Sequence, residues 1–178
     1  MLWATLFYMR LVYNIEEYIM KKFFKILFFV VLFSILVLWL VKIFLLTHKY
    51  QVKYYNEDKI EKDIVITFNG IYGYEKQLRF IDEKLAEDGY SVVNIQYPTV
   101  DDKIAEMTDK YIVPTIDEQV KKLNEINLER KAKNLPELKI NFVVHSMGSC
   151  LIRYYLKEHK LDNLGKVVLI SPPSHGSQ

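Results

Sequence analysis

The 24 residues from Phe23 to Leu46, FFKILFFVVLFSILVLWLVKIFLL, constrain this chain more than any others. A helix apolar on every face over six turns has no place at the half-wet surface of a soluble domain. Written as a helix the stretch rises about 36 Å, against roughly 30 Å for the hydrocarbon core of a bilayer. Its charge-free part, Ile26 to Val41, is flanked by Lys25 and Lys42, whose long side chains reach back to the headgroups. The pattern predicts one transmembrane helix over 23–46, hence a single-pass membrane protein with the lipid bilayer as a partner. No small-residue cleavage site follows, so the run reads as an uncleaved anchor. Arg10, Lys21, Lys22 and Lys25 precede it, and Lys42, Lys49 and Lys53 follow. That imbalance favours a cytoplasmic N-terminus and an exported C-terminal domain. Residues 1–22 form a short N-terminal segment. Leu2, Trp3, Leu6, Phe7, Leu11, Val12 and Tyr13 set against Arg10, Glu16 and Glu17 suit a helix lying at the interface, with an ordinary cytosolic tail as the alternative.

Beyond residue 46 the pattern changes. Residues 47–63 read as a linker with an early strand near 49–55, and residues 64–178 as the folded domain. Ile64–Phe68, Ser91–Gln96, Lys139–Val144 and Lys166–Ile170 are compact β-branched runs. Between them lie helical stretches: Glu75–Asp88, with Leu78, Ile81 and Leu85 on one face and Gly89 to end it; Asp102–Lys133, capped by Asp101 or Asp102 and broken or kinked at Pro114; and Met147–His159. Alternating strands and helices predict an α/β fold, a parallel sheet with helices on both faces. Ligands in such sheets bind beyond the carboxyl ends of the strands. Three loops at those ends stand out: Asn69–Gly73, His145–Gly148 and Ser171–Gly176. The net charge of +2, with signs interspersed, gives no footprint for nucleic acid. The lone Cys150 excludes an intrachain disulfide and reads as a core cysteine. No zinc-ligand spacing and no phosphate-cradling glycine loop is present, so neither a metal nor an organic cofactor is expected.

The sharpest motif is Val144-His145-Ser146-Met147-Gly148, where an apolar strand runs through a serine into a helix. A nucleophilic serine needs such a sharp turn, with small neighbours and backbone N–H groups close by. The downstream glycine is Gly148; the upstream place holds Val144. A serine before a helix also serves as a plain N-cap. From residue 64 to 178 the chain resembles the α/β-hydrolase superfamily, in particular membrane-associated lipase-like and esterase-like serine hydrolases. The resemblance rests on His145-Ser146-Met147-Gly148, on Asn69-Gly70-Ile71 in the place of a His-Gly pair, and on Pro172-Pro173-Ser174-His175-Gly176-Ser177. It implies the N-terminal part of a hydrolase sheet, with Ser146 as nucleophile and the backbone amides of Ile71 and Met147 as oxyanion donors. Asn69, Gly70, Tyr72, Gly73 and His145 would shape the pocket, and an apolar, lipid-like ester would be the substrate. His175 is a candidate base, although in the family the histidine of this run is structural.

Ser146, Asp162 and His175 occur in the family's chain order, but Asp162 falls at the opposite edge of the sheet, roughly 16 Å away across a five-residue strand. The acid and base of the triad are therefore expected outside these residues, in a chain that reads as part of a longer hydrolase or as a truncated, inactive relative. In the latter case the last strand would be an open edge able to take a pairing partner. A membrane lipase or esterase, an inactive binding or scaffold protein, and an acyltransferase are the functions these features allow.

Overall fold

The computed structural model describes residues 2–47, 49–58, 60–73, 75–99, 103–174 and 176. They divide into two compact units, 1–44 and 45–178. The first unit holds most of helix α1 (Leu2–Thr47), a single continuous helix of 46 residues. The separate interfacial helix considered for residues 1–22 is thus not set off from the apolar run. No glycine or proline interrupts the stretch. Within it Tyr13–Phe44, 32 residues, is long and apolar enough to cross a membrane. The Ser34 hydroxyl returns its proton to the Val30 carbonyl at 2.9 Å, so even the central polar side chain is satisfied within the helix.

The second unit is a five-stranded sheet flanked by helices: β1 (Gln51–Tyr55), β2 (Ile64–Phe68), α2 (Arg79–Glu87), β3 (Ser91–Gln96), α3 (Ile104–Met107), α4 (Val113–Ala132), β4 (Ile140–His145), α5 (Gly148–Glu158) and β5 (Leu164–Ile170). The strand order is β1-β3-β2-β4-β5. Strands β2 to β5 are parallel, and β1 joins as an antiparallel edge on β3, a direction that no residue pattern announced. An apolar helix followed by a mixed, mostly parallel sheet with helices on both faces is consistent with a general α/β-hydrolase-like fold.

Period-two geometry divides the central strands into two faces. Ile64, Ile66 and Phe68 of β2 stand in register with Ile140, Phe142 and Val144 of β4. Together with Met107, Ile112, Ile116, Leu123, Leu151 and Ile152 from α3 to α5 they form the main core, nearly all without solvent contact. The opposite face of β2 and β3 meets α2. The predicted apolar stripe of α2 is only partly correct: Leu78 is buried, but Ile81 and Leu85 are half-buried and Asp82 is buried completely. The Asp82 carboxylate accepts the Thr67 hydroxyl at 2.8 Å and the Asn94 amide at 2.9 Å, and Asn94 also donates to Thr67 at 2.9 Å. This closed triangle ties α2 to both strands.

Helix α2 ends as Gly89 requires. At φ 87° Gly89 donates to the Ala86 carbonyl, and Tyr90 donates to Leu85, the paired bonds of a Schellman motif. The long segment expected over Asp102–Lys133 is divided just before Pro114. Thr108–Ile112 form a π-helical turn between α3 and α4, and Pro114 lies in the first turn of α4. Proline has no N–H for the carbonyl four residues back and its ring crowds that carbonyl; a widened turn relieves both problems. Asp101 and Asp102, the expected caps, lie outside the described residues.

Burial holds the Asp82 carboxyl up at about 6, against the Thr67 and Asn94 hydrogen bonds and the Lys53 charge, which favour the ionised form. A carboxyl whose pKa rises on folding stabilises the fold fully below its unfolded value of 3.8 and loses that contribution as pH climbs through 6. Denaturant titration between pH 4 and 6 is expected to show stability from this group falling with rising pH, and Asp82→Asn to remove that slope.

Candidate functional site

The parallel sheet branches at β2, which is followed in space by β3 on one side and β4 on the other. The carboxyl ends of β2 and β4 are therefore where ligands bind in sheets of this topology. Phe68 and Val144 are register partners, so Asn69-Gly70-Ile71 and His145-Ser146-Met147 emerge side by side.

Ser146 occupies φ 51°, the left-handed region, in the two residues between β4 and α5. A non-glycine residue there costs on the order of 1–3 kcal/mol. Two other sheet-end loops carry the same signature: Tyr72 at φ 54° after β2 and Ser171 at φ 47° after β5. Backbone strain is concentrated at the carboxyl ends of three neighbouring strands. The N-cap of α5 is Met147, not Ser146, and no side chain caps that helix. The plain capping role open to this serine is therefore not the one it has. Its amide donates to the Ile170 carbonyl at 2.8 Å, which fixes the turn to the end of β5, and its carbonyl accepts Ser149 N–H at 2.9 Å.

Glycines let the two loops close on each other. A Cβ on Gly70 would lie 2.6 Å from the Ser146 Cβ and 3.1 Å from its Oγ. One on Gly148 would lie 2.9 Å from the Asn69 carbonyl oxygen and 3.0 Å from that of Phe68. Val144, at the motif's upstream glycine position, is wholly buried in the main core.

Two amides beside the serine are open. Tyr72 N–H donates to the Thr99 hydroxyl at 2.9 Å and Gly73 N–H to Gly70 at 2.9 Å. The amides of Ile71 and Met147 make no hydrogen bond among the described residues. Ile71 and Tyr72 are exposed at this edge, Gly73 is buried, and Met147 packs partly against the core. Below them the Tyr97 hydroxyl donates to the Asn69 carbonyl at 2.6 Å. Burial, and then the neighbouring Cys150, push that phenol well above its ordinary range, so it stays a donor. Tyr97 and Thr99 brace the β2 loop from the end of β3, a role the sequence did not reveal. Their only signal is their position at a third strand end, before and after Pro98. Cys150 is half-buried rather than a full core residue.

Two side chains at the site are left without partners. Asn69 is 1% exposed, and neither its amide nitrogen nor its oxygen is hydrogen-bonded. His145 is half-buried with Nδ1 shielded and unpartnered. Neither ring nitrogen is held by a carboxylate among the described residues. His159 stacks on Tyr155 at 4.8 Å at the far end of α5. Asp162 is exposed and paired with Lys160 at 2.7 Å. Neither is part of a relay to Ser146, in keeping with the opposite-edge placement expected of Asp162. His175 lies outside the described residues. Among the described residues no three His, Cys, Asp or Glu side chains gather as a metal site.

No protein-family model matches the sequence, and no curated protein matches it.

The packing predicts an inversion of the usual glycine rule. Val144→Gly, which completes the G-x-S-x-G spacing, is expected to lower unfolding free energy by about 2–4 kcal/mol through core loss and strand entropy. Gly70→Ala, although conservative, is expected to cost about 1–3 kcal/mol by overpacking against Ser146. Denaturant midpoints of both variants check this.

Proposed function

We propose that the chain is a membrane-anchored, α/β-hydrolase-like protein that receives an apolar ester or acyl carbonyl at Ser146 as a binding or scaffold domain rather than as a catalyst. The observation that carries this reading is the contrast within one site. Ser146 sits in a strained turn beside the open amides of Ile71 and Met147, yet no histidine–carboxylate pair reaches it among the described residues. Backbone donors of that kind favour a carbonyl oxygen, or the oxyanion that forms from it. A serine hydroxyl without a base is a weak nucleophile, and losing the base and its orienting acid removes most of the rate enhancement of a triad. The apolar helix supports a single-pass anchor, the excess of Lys and Arg before it favours an N-terminus on the cytoplasmic side, and an anchor brings lipid-like esters close to the site. Asn69, Gly70, Tyr72, Gly73 and His145 would line the approach.

A second reading is a serine lipase or esterase that forms a Ser146 acyl-enzyme with acid and base from residues other than those described. The left-handed Ser146 and its close approach to Gly70 favour it, because a binding site alone does not require a strained serine. An acyltransferase differs only in delivering the acyl group to an alcohol. Intact-mass detection of a fluorophosphonate adduct, with p-nitrophenyl ester turnover, separates binding from acyl-enzyme chemistry on the detergent-solubilised chain and on Ser146→Ala, and product analysis with and without an alcohol separates hydrolase from transferase. The binding reading expects turnover equal to that of Ser146→Ala. A Ser146-dependent adduct with turnover at least about a hundredfold above that background would replace it with the hydrolase.

A further inference from the structure

The lysines at the N-terminal shoulder of the apolar run are arranged on one face of α1. At about 100° per residue, Tyr18, Lys21, Lys22, Lys25, Ile26 and Phe29 fall within an arc of about 140°. Together they line one shallow, open groove on the helix surface. Its upper part is cationic and its lower part apolar, a division that follows the helix axis. Lys21 is paired with Glu17 at 2.6 Å. Lys22 and Lys25 have no carboxylate partner among the described residues. Glu16, the other nearby acid, falls on the opposite side of the helix. Three ammonium groups within about 6 Å of helix rise repel one another, and a single acid at the edge of the group does not balance them.

We propose that this groove is a binding site for an anionic phospholipid. The phosphodiester lies between Lys22 and Lys25, with Lys21 and the Tyr18 hydroxyl at its rim, and one acyl chain follows Ile26 and Phe29 into the hydrocarbon. Charge complementarity selects the anion. The apolar continuation on the same face selects a lipid over a free phosphate, which has nothing to place against Ile26 and Phe29. The site rests on the reading of α1 as a membrane anchor and adds a lipid preference to it.

The test uses the full chain in nanodiscs of mixed phosphatidylglycerol and phosphatidylcholine, with retained lipids counted by native mass spectrometry. The wild type is expected to retain phosphatidylglycerol preferentially. Lys22→Gln and Lys25→Gln are each expected to lower that preference about fivefold, whereas Lys42→Gln with Lys49→Gln at the other flank leaves it in place. An unchanged preference in the Lys22→Gln/Lys25→Gln variant, or an equal loss in the Lys42→Gln/Lys49→Gln control, would overturn the site. Displacement of the lipid by excess inorganic phosphate would overturn it too, by showing an anion site without lipid specificity. Flotation with vesicles checks the anchor separately: a chain that does not float defeats the anchor and this site together, while one that floats without lipid preference defeats the site alone.

Discussion

At Ser146 the backbone must leave a parallel strand and enter a helix within two residues, and a left-handed serine is the means by which it does so. The other features of the site depend on that turn. The Ser146 amide is fixed to the end of β5, the first helical turn closes on the Ser146 carbonyl, and α5 begins hard against the end of β2. Only a glycine at position 148 allows the last contact, and only a glycine at position 70 allows the neighbouring loop to pass the serine. The strain at Ser146 is offset by its surroundings: its amide is held by the end of β5, and the strand it leaves, β4, is buried on the face that carries Ile140, Phe142 and Val144.

Beneath this edge the domain has two kinds of interior. On the side of α3, α4 and α5 it is apolar and closely packed. On the side of α2 its centre is the Asp82–Thr67–Asn94 triangle, in which both Asp82 oxygens, the Thr67 hydroxyl and the Asn94 amide nitrogen are hydrogen-bonded. Thr67 lies two residues before Asn69, the first residue after β2, so the polar layer runs toward the loop beside Ser146. There it ends in groups with no partner, Asn69 and the Nδ1 of His145. A satisfied polar layer gives the fold specificity, whereas an unsatisfied one costs stability and marks a place where the protein is not optimised for folding alone.

Much of this was readable from the residues. The four parallel strands are continuous β-branched runs, Gly89 marks a helix end, Pro114 marks a disturbance and Ser146 marks the turn. What was not readable depends on contacts distant in sequence or on geometry without a residue signature. The direction of β1 is set by pairing with β3, some forty residues on. The buried face of α2 includes an aspartate because its two partners come from other strands. Tyr97 supports the Asn69 loop through one hydrogen bond across 28 residues. The continuity of α1 follows from the absence of glycine and proline over residues 2–47, which is easily overlooked where composition changes midway.

Val144 carries a wider lesson about reading motifs. In a linear pattern the small residues around a nucleophile are counted along one strand, two places before it and two after. Here the chain fills the first place with a core side chain, and the close neighbour of the serine is a glycine 76 positions earlier. The requirement for smallness is met in space by a different loop. A search by spacing alone would therefore discard this chain for a residue that is buried in the core, and would overlook Gly70, the position whose enlargement crowds the serine.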